Sequence, residues 1–392
     1  MRQTILIRTY LAVFTANTVI GMTFPMFPLY AKSIGTPVWM LTALISIMEL
    51  SSVIGGIILG DLSDRKGRKS IKLLCSVLYI IYPIMLIKTS NPMFLIIPLM
   101  LKGMGMTIVT ICAAYVGDVT EKDELAKRIG ILSFSGGIGF GIGPVIGGYG
   151  IDNFGFTNTF YVATIISILL FILIIGTKEA DETIRDSFRP PQRKRQEQEG
   201  DVKEKIRSII TKRNIISIGL MSSLAMISFR LTIVFFPLLC QQLGISASKA
   251  GLIIGIRTMF FVLSQIPASR ISKIIGKERL LIISLMMLAL GQGMVGLSNS
   301  TEMIVISLIC EGIGFGIFLT LSRTLIITTS KKTESAISLG IVRAISWPGQ
   351  VVLFVLLGNL SEIIGLTSIF IVGSGIILFG GIITTYILKS AK

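Results

Sequence analysis

The stretch Gly60-Asp61-Leu62-Ser63-Asp64-Arg65-Lys66-Gly67-Arg68-Lys69 places ten mostly charged residues between two long apolar runs. The flanking runs, roughly residues 38 to 59 and 70 to 87, each approach the ~20 residues that a helix needs to cross a bilayer. Four of the ten residues are Lys or Arg, and short loops rich in these residues stay on the cytoplasmic side. We therefore predict a cytoplasmic loop between two membrane helices, which fixes the orientation of every other helix.

The composition agrees with a membrane protein. The chain has 392 residues, of which 52% are hydrophobic, and a mean hydropathy of +0.81, too apolar for a soluble globular protein. A net charge of +16 is also found in nucleic-acid-binding proteins. Here most Lys and Arg fall on predicted cytoplasmic segments. Only Lys32, Lys88 and Lys249 fall on segments predicted to lie on the outer side of the membrane. Since membrane topology alone produces this split, the expected partner is the lipid bilayer and not nucleic acid.

Apolar spans alternate with short polar segments along the whole chain. They read at about 5–31, 38–59, 70–87, 93–116, 129–150, 157–176, 214–240, 249–270, 279–298, 301–327, 335–357 and 364–388. Between the sixth and seventh spans, residues 177–213 carry 11 basic and 8 acidic residues, a composition that cannot bury a core. The pattern predicts an all-α integral membrane protein with twelve transmembrane helices in two six-helix bundles, 1–176 and 214–392, joined by a cytoplasmic linker, 177–213. Both termini are then cytoplasmic.

The two halves repeat at a fixed offset of 209 residues, which predicts two structural repeats. Four separate matches share this offset: Phe27-Pro28-Leu29 with Phe236-Pro237-Leu238, Gly35 with Gly244, Gly67 with Gly276, and Gly103-Met104-Gly105 with Gly312-Ile313-Gly314. Because each half has an even number of spans, the repeats are parallel in topology.

The charged stretch closely resembles the loop motif G-x-L-a-D-r-x-G-r-k of the major facilitator superfamily. The residues that fall on the motif or directly beside it are Gly60, Asp61, Leu62, Asp64, Arg65, Gly67, Arg68 and Lys69. The resemblance implies a transporter that works by alternating access, with the loop controlling the balance between conformations. We expect Asp64 to lie near the N-terminus of a neighbouring helix. Asp118, at the end of the fourth span, resembles an acid that pairs with this loop, and Arg65 is its expected partner.

The fifth span is rich in glycine. Its residues Gly130, Gly139, Gly143, Pro144, Gly147 and Gly148 match the spacing G-x8-G-x3-G-P-x2-G-G. This spacing resembles the fifth-helix motif of drug and proton antiporters in the same superfamily, which implies export. Close packing of helices through small residues explains the same glycines without any export role. One departure concerns the fourth span, where the family pattern R-x-x-q-G would place Arg at position 99 and this chain has Leu99.

Six charged residues lie inside predicted spans and away from the span ends, where each is unfavourable unless it is paired or hydrated. They are Glu49, Lys102, Arg230, Arg257, Glu311 and Arg343, all on helices that line the central cavity in the superfamily. Lys102 and Glu311 differ by 209, so an ion pair between the two repeats is one prediction. In the alternative, each finds a local partner, for example Glu49 for Lys102. The first span, where relatives often carry an acid, offers only Asn17.

The resulting functional prediction is proton-coupled export of small organic compounds or drugs. The chain has no His, and Cys75, Cys112, Cys240 and Cys310 are isolated in apolar spans, so we expect no metal and no cofactor beyond the proton gradient. The proton carrier should be a carboxylate, Glu49 or Glu311. Uptake or exchange of an organic anion is the alternative, since basic residues outnumber acids in these spans; a receptor or scaffold is a further one. We expect a monomer in the plasma membrane and no enzymatic activity.

Overall fold

The computed structural model describes residues 2–177, 213–329 and 335–389. The predicted linker lies almost entirely outside the described residues. Throughout the described ranges, the regular secondary structure is helical. The expectation of an all-α membrane fold is therefore confirmed.

The first half contains seven α-helices and a short 3₁₀-helix at Pro92–Leu95. The α-helices are α1 (Arg2–Thr23), α2 (Phe27–Ser33), α3 (Val38–Lys66), α4 (Arg68–Lys88), α5 (Ile96–Gly105), α6 (Thr107–Asp118) and α7 (Lys122–Ile175). The described part of the second half contains α8 (Arg213–Arg230), a π-helix (Leu231–Phe235), α9 (Phe236–Gln242), α10 (Ala247–Ile275), α11 (Lys277–Gly296), α12 (Thr301–Thr329), α13 (Ser335–Ile364) and α14 (Leu366–Lys389).

The number of membrane crossings depends on α7. Within the described ranges, eleven continuous apolar segments are long enough to cross a bilayer, and one of them, Asp123–Ile175, is 53 residues long. At about 1.5 Å per residue, this segment is more than twice the ~30 Å thickness of the hydrocarbon core. Gly155 interrupts it with a φ of 75° and a ψ of 173°, values outside the helical region. The helix therefore turns at Gly155 and supplies the fifth and sixth crossings, which makes twelve.

The repeat at an offset of 209 is visible in the backbone. Helix α2 begins at Phe27 and α9 at Phe236, while α3 begins at Val38 and α10 at Ala247. The glycines that separate these helices also match in conformation, with φ of 82° at Gly35 and 70° at Gly244. Further along, φ is 96° at Gly67 and 92° at Gly276. Such positive φ values favour glycine, so the repeated glycines mark repeated breaks in the helices.

The charged stretch at residues 60–69 is not a loop, as predicted, but mostly helix. Helix α3 continues to Lys66, α4 begins at Arg68, and Gly67 alone forms the turn between them. Helical geometry places side chains four residues apart on the same face, and the Asp61–Arg65 ion pair uses this spacing within α3. Asp64 on α3 pairs with Arg68 on α4 across the turn at Gly67. The first pair supports the last turn of α3, and the second connects the two helices.

By density of contacts, the chain divides into two compact units. Unit 1 contains the described residues of Met1–Pro191 together with Cys240–Gly255, and unit 2 contains the described residues of Gln192–Leu239 and Ile256–Lys392. Helix α10 thus begins in unit 1 and continues in unit 2. The bundle limits predicted from the sequence, 1–176 and 214–392, stay a prediction.

In unit 1, α1 packs against α7 at close backbone distance. Cβ atoms added at Gly139, Gly143 and Gly147 would lie 2.3 to 2.5 Å from backbone atoms of α1. The start of α10 approaches α7 in the same way, because Cβ atoms at Gly148 and Gly251 would lie 2.2 and 2.1 Å from backbone oxygens. These contacts need glycine, since any larger residue would separate the helices.

Asp152 fixes the start of α10. Its carboxylate accepts hydrogen bonds from the backbone N–H groups of Ala247, at 3.1 Å, and Ser248, at 2.7 Å. Asp152 lies beyond the fifth predicted span. Burial opposes its ionisation, but the hydrogen bonds from Ser248 and Ala247 outweigh burial and lower the pKa of the carboxyl.

In unit 2, an apolar core joins α8, α10, α11, α12, α13 and α14. Its fully buried members include Ile218, Met221, Ala268, Leu281, Leu288 and Ile377. Helices α10 and α12 come closest at two glycines of α12. Added Cβ atoms at Gly312 and Gly316 would lie 2.4 and 2.3 Å from the carbonyl oxygens of Arg257 and Phe261. This approach brings charged side chains of the two helices together.

Candidate functional site

A buried ion pair between Arg257 and Glu311 forms the centre of unit 2. Both side chains are completely excluded from solvent. Arg257 on α10 donates through Nε to Oε2 of Glu311 and through Nη2 to Oε1 at 2.8 Å, so the contact is bidentate. Charge-assisted bidentate bonds of this kind are the strongest that arginine makes. Gly312, next to Glu311, permits the pair because α12 lies directly on the carbonyl of Arg257.

Uncharged polar groups extend this pair toward α8 and α11. Ser228 donates to Oε1 of Glu311 at 3.0 Å. Gln292 on α11 donates to the Ser228 carbonyl, the Ser228 hydroxyl and the Thr232 hydroxyl, at 2.9 to 3.0 Å. Thr232 lies in the π-helix Leu231–Phe235, and such irregular turns are frequent at functional sites. Two buried atoms of this network have no hydrogen-bond partner, Nη1 of Arg257 and Oε1 of Gln292.

Aromatic rings surround the guanidinium of Arg257. Its central carbon lies 5.2 Å from the ring centre of Phe229 and 5.5 Å from that of Phe315. The two rings stack on each other with centres 5.3 Å apart. Ring faces attract a cation, so they stabilise Arg257 together with Glu311.

Lys102 is a buried cation of unit 1, with only 2% of its surface exposed. Its Nζ donates to Oγ1 of Thr23 at 3.2 Å and to Oη of Tyr82 at 3.3 Å. The rings of Phe24 and Tyr82 lie 5.0 and 4.9 Å away. Within the described part of unit 1, no carboxylate forms an ion pair with it.

Lys102 and Glu311, the predicted pair between the repeats, each have partners within their own unit. Arg257 and Ser228 bind the carboxylate of Glu311, while Thr23 and Tyr82 bind the ammonium of Lys102. This agrees with the local alternative, although neither partner set is the one the sequence suggested. Glu49, which was the suggested local partner of Lys102, is half-buried on α3.

Arg68 organises a cluster of charged and polar residues at the turn between α3 and α4. Its guanidinium contacts Asp64 at 2.7 Å, Asp118 at 2.8 Å and the Ser63 hydroxyl at 2.7 Å. The predicted contact between Asp118 and Arg65 is wrong, because Arg65 pairs with the exposed Asp61 at 2.8 Å. The reason is the continuation of α3, which directs Arg65 to the exposed face one turn from Asp61. Arg68, at the start of α4, is only 7% exposed.

The fifth-helix glycines have unequal roles in packing. Gly139, Gly143 and Gly147 touch α1, and Gly148 touches the start of α10, whereas Gly130 faces open space. Pro144 lies within the helix, and a Cβ at Gly251 would meet its carbonyl. Helix packing thus accounts for four of the five glycines in the motif.

Other predicted residues lie apart from these networks. Arg230 ends α8, is 4% exposed, and stacks 5.0 Å from the ring centre of Phe354. Asn17 donates to the Val13 carbonyl at 2.9 Å and lies beside Gly136 of α7. Arg343 is exposed on α13.

The sequence prediction missed Ser228, Gln292, Thr23 and Tyr82. All four are uncharged polar residues inside apolar spans. Their polarity is visible in the sequence, but the prediction rested on charged residues. Among the described residues, no group of three or more His, Cys, Asp or Glu side chains is arranged to hold a metal ion.

Twelve crossings in two repeats, with charged groups buried inside each unit, are typical of membrane transporters. The family model of the Major Facilitator Superfamily matches residues 9–229 and 218–392. The chain therefore belongs to the Major Facilitator Superfamily. It is a transporter and not an enzyme, and its partners are the lipid bilayer and a small-molecule substrate.

Similar proteins agree with this family. The Multidrug resistance protein MdtG of Salmonella arizonae is 26% identical over 288 residues, which cover 71% of this chain and 69% of that protein. Among solved structures, the nucleoside transporter NupG has a TM-score of 0.77 at 12% identity, covering 98% of this chain and 99% of that one. A D-xylose-proton symporter has a TM-score of 0.72 at 14% identity, with 95% and 96% covered. These structures show the same fold.

Proposed function

We propose that this transporter exports small organic compounds across the plasma membrane in exchange for protons. The similarity to multidrug resistance proteins supports drug-like substrates. The proton gradient is the only energy source in this proposal, without any other cofactor and without nucleic acid as a partner. The protein acts as a monomer with both termini in the cytoplasm.

The main observation behind proton coupling is the Arg257–Glu311 pair. Arg257 and Ser228 both donate hydrogen bonds to the carboxylate of Glu311, and the positive charge of Arg257 balances its negative charge. A proton on Glu311 would remove the charge that Arg257 binds. Protonation and the contact between α10 and α12 would then be coupled. A carboxylate whose charge controls helix packing is what a proton-driven conformational cycle requires.

Glu49 is the second carboxylate proposed to carry protons. It is half-buried on α3, adjacent to Met48, whose carbonyl oxygen would lie 2.1 Å from a Cβ on Gly103. We assign to Asp64 and its neighbours the control of conformational balance. Asp64→Asn should then lower transport and leave substrate affinity nearly unchanged.

Transport of an organic anion is the second candidate function. The observation in its favour is the cation Lys102, which has hydroxyl groups and rings around it but no ion-paired carboxylate in unit 1. A negatively charged substrate would supply the missing charge. A receptor or scaffold without transport gives no role to either buried group.

Everted membrane vesicles discriminate between these functions. Vesicles containing the protein are supplied with ethidium, a cationic dye, or with carboxyfluorescein, an organic anion, with and without an acidic interior. Proton-coupled export predicts ethidium uptake that requires the pH gradient and is lost in Glu311→Gln. The matched control is Glu302→Gln, which neutralises an exposed acid on the same helix and should keep uptake.

Three results would contradict the proposal. Transport of carboxyfluorescein alone would favour the organic-anion function. Transport of neither dye and of no other compound in a wider screen would favour a receptor or scaffold. Full gradient-driven uptake in both Glu311→Gln and Glu49→Gln would exclude these carboxylates as proton carriers.

A further inference from the structure

The hydrogen-bond partners of Lys102 are neutral, so none of them requires the lysine to carry a positive charge. Its nitrogen lies at hydrogen-bond distance from two hydroxyl oxygens, of Thr23 and Tyr82, and near two aromatic rings. A buried ammonium without a counter-ion is unfavourable, because its desolvation is not compensated by an opposite charge. The site therefore holds a cation that its surroundings stabilise only in part.

Helices α3 and α4 both pack against α5. On α4, the titratable groups shown beside α5 are Tyr82, Tyr79 and Cys75, and both Tyr79 and Cys75 lie next to Gly105. On α3, Glu49 follows Met48, whose carbonyl lies at Gly103, whereas Asp61 and Asp64 form ion pairs at the far end of the helix. Of these, Tyr82 is the one whose side chain contacts Lys102. The contact on α1 is Thr23, which does not titrate.

The two hydroxyl groups differ in what they can offer. The Thr23 hydroxyl already donates to the Val19 carbonyl at 2.7 Å, so it can only accept from Lys102. A phenol hydroxyl can both donate and accept, and Tyr82 can therefore accept from an ammonium or donate to a neutral amine. The site can satisfy both protonation states of Lys102 after a simple rotation of the Tyr82 hydroxyl. Glu311 has no such freedom, because the guanidinium of Arg257 is only a donor.

We propose that Lys102 itself binds and releases a proton during transport, as a second proton site beside the carboxylates. In the release step, one N–H bond of the ammonium breaks and its electron pair stays on the nitrogen. The proton passes to water, and the neutral amine then accepts a hydrogen bond from Tyr82 and still donates to Thr23. Because like charges repel in a medium of low dielectric constant, a cationic compound would enter more readily once this proton has left. This inference rests on the proposed proton-coupled export.

The test is substitution by arginine, which keeps a cation but cannot lose its proton inside a protein. In vesicles, Lys102→Arg should lose the gradient-driven uptake of ethidium. It should keep the exchange of ethidium between the two sides at equal pH, and the exchange rate should no longer change with pH. The matched control is Lys72→Arg, at the other buried lysine of unit 1, 3.8 Å from the ring centre of Tyr115. This control should retain both gradient-driven uptake and the pH dependence of exchange.

Gradient-driven uptake by Lys102→Arg at the wild-type rate would overturn the proposal, because a permanent cation would then suffice. If arginine does not fit and exchange is also lost, Lys102→Met decides. Exchange that persists in Lys102→Met without pH dependence supports the proposal, and its loss assigns Lys102 to structure or to substrate contact. Absence of gradient-driven uptake in the wild-type protein would instead refute the proposed function, and this inference with it.

Discussion

Lys102 in unit 1 and Arg257 in unit 2 are both buried cations, but they are neutralised in different ways. Their exposed fractions are 2% and 0%. Arg257 faces a carboxylate that accepts two hydrogen bonds from it, whereas Lys102 faces hydroxyl groups and ring faces. One cation belongs to a closed ion pair, and the other forms no ion pair with a carboxylate in the described part of its own unit.

The repeat explains how this difference arises. The backbone contact of Gly103 with the Met48 carbonyl corresponds, at an offset of 209, to the contact of Gly312 with the Arg257 carbonyl. The helices thus meet in the same way in both units. The side chains at this contact are Met48 and Lys102 in one unit, and Arg257 and Glu311 in the other. At this duplicated backbone contact, unit 1 therefore has one charged side chain, and unit 2 has two side chains of opposite charge.

The largest expected effect is a difference in protein stability when each of the two cations is replaced by methionine. Arg257→Met leaves the carboxylate of Glu311 buried without its partner and should cost about 3–5 kcal/mol. Lys102→Met removes a charge without leaving an unpaired carboxylate behind, so the free energy of unfolding should stay the same or rise. The measurement is unfolding of the purified protein in detergent. Equal losses in the two variants would contradict the comparison.

The double variant Arg257→Met with Glu311→Gln sharpens this result. It removes both charges together and should recover most of the loss seen with Arg257→Met alone. Additive losses would mean that the two side chains do not interact.

A smaller effect is expected at the hydroxyl that serves Glu311. Ser228→Ala removes a donor at 3.0 Å from the carboxylate and an acceptor for Gln292, so it should cost about 1.5–3 kcal/mol. Ser222→Ala on the same helix is the control, since the Ser222 hydroxyl donates to the Ile218 carbonyl one turn earlier in that helix. The same unfolding measurement applies. A loss at Ser222 as large as that at Ser228 would contradict the specific role of the network.

The smallest effect is expected beside Lys102. Tyr82→Phe removes one neutral acceptor and should cost about 0.5–1.5 kcal/mol. Tyr79→Phe is the control, because the Tyr79 hydroxyl is buried without a hydrogen-bond partner and its removal should cost nothing. A greater loss at Tyr79 than at Tyr82 would mean that the hydroxyl contact with Lys102 contributes nothing.

The sequence predicted what depends on local patterns. Apolar length gave the twelve crossings, and matched glycines gave the repeat, because bilayer thickness and positive φ values act on a few neighbouring residues. The partner of Glu311 depends on how α10 lies on α12, and no local pattern carries that information. The sequence predicted Arg65 as the partner of Asp118, whereas the structure shows Arg68, and this error has a similar cause. The polar sequence suggested a loop, whereas α3 continues to Lys66 with the Asp61–Arg65 ion pair on its last turn, and Asp64 pairs with Arg68 at the start of α4.

The most direct test of proton-coupled export is the proton flux that accompanies ethidium in proteoliposomes containing a pH-sensitive dye. When ethidium runs down its gradient in the absence of a pH difference, the wild-type protein should move protons in the opposite direction. Lys102→Arg should move ethidium with little or no proton flux. Ethidium movement without any proton flux in the wild-type protein would contradict the account.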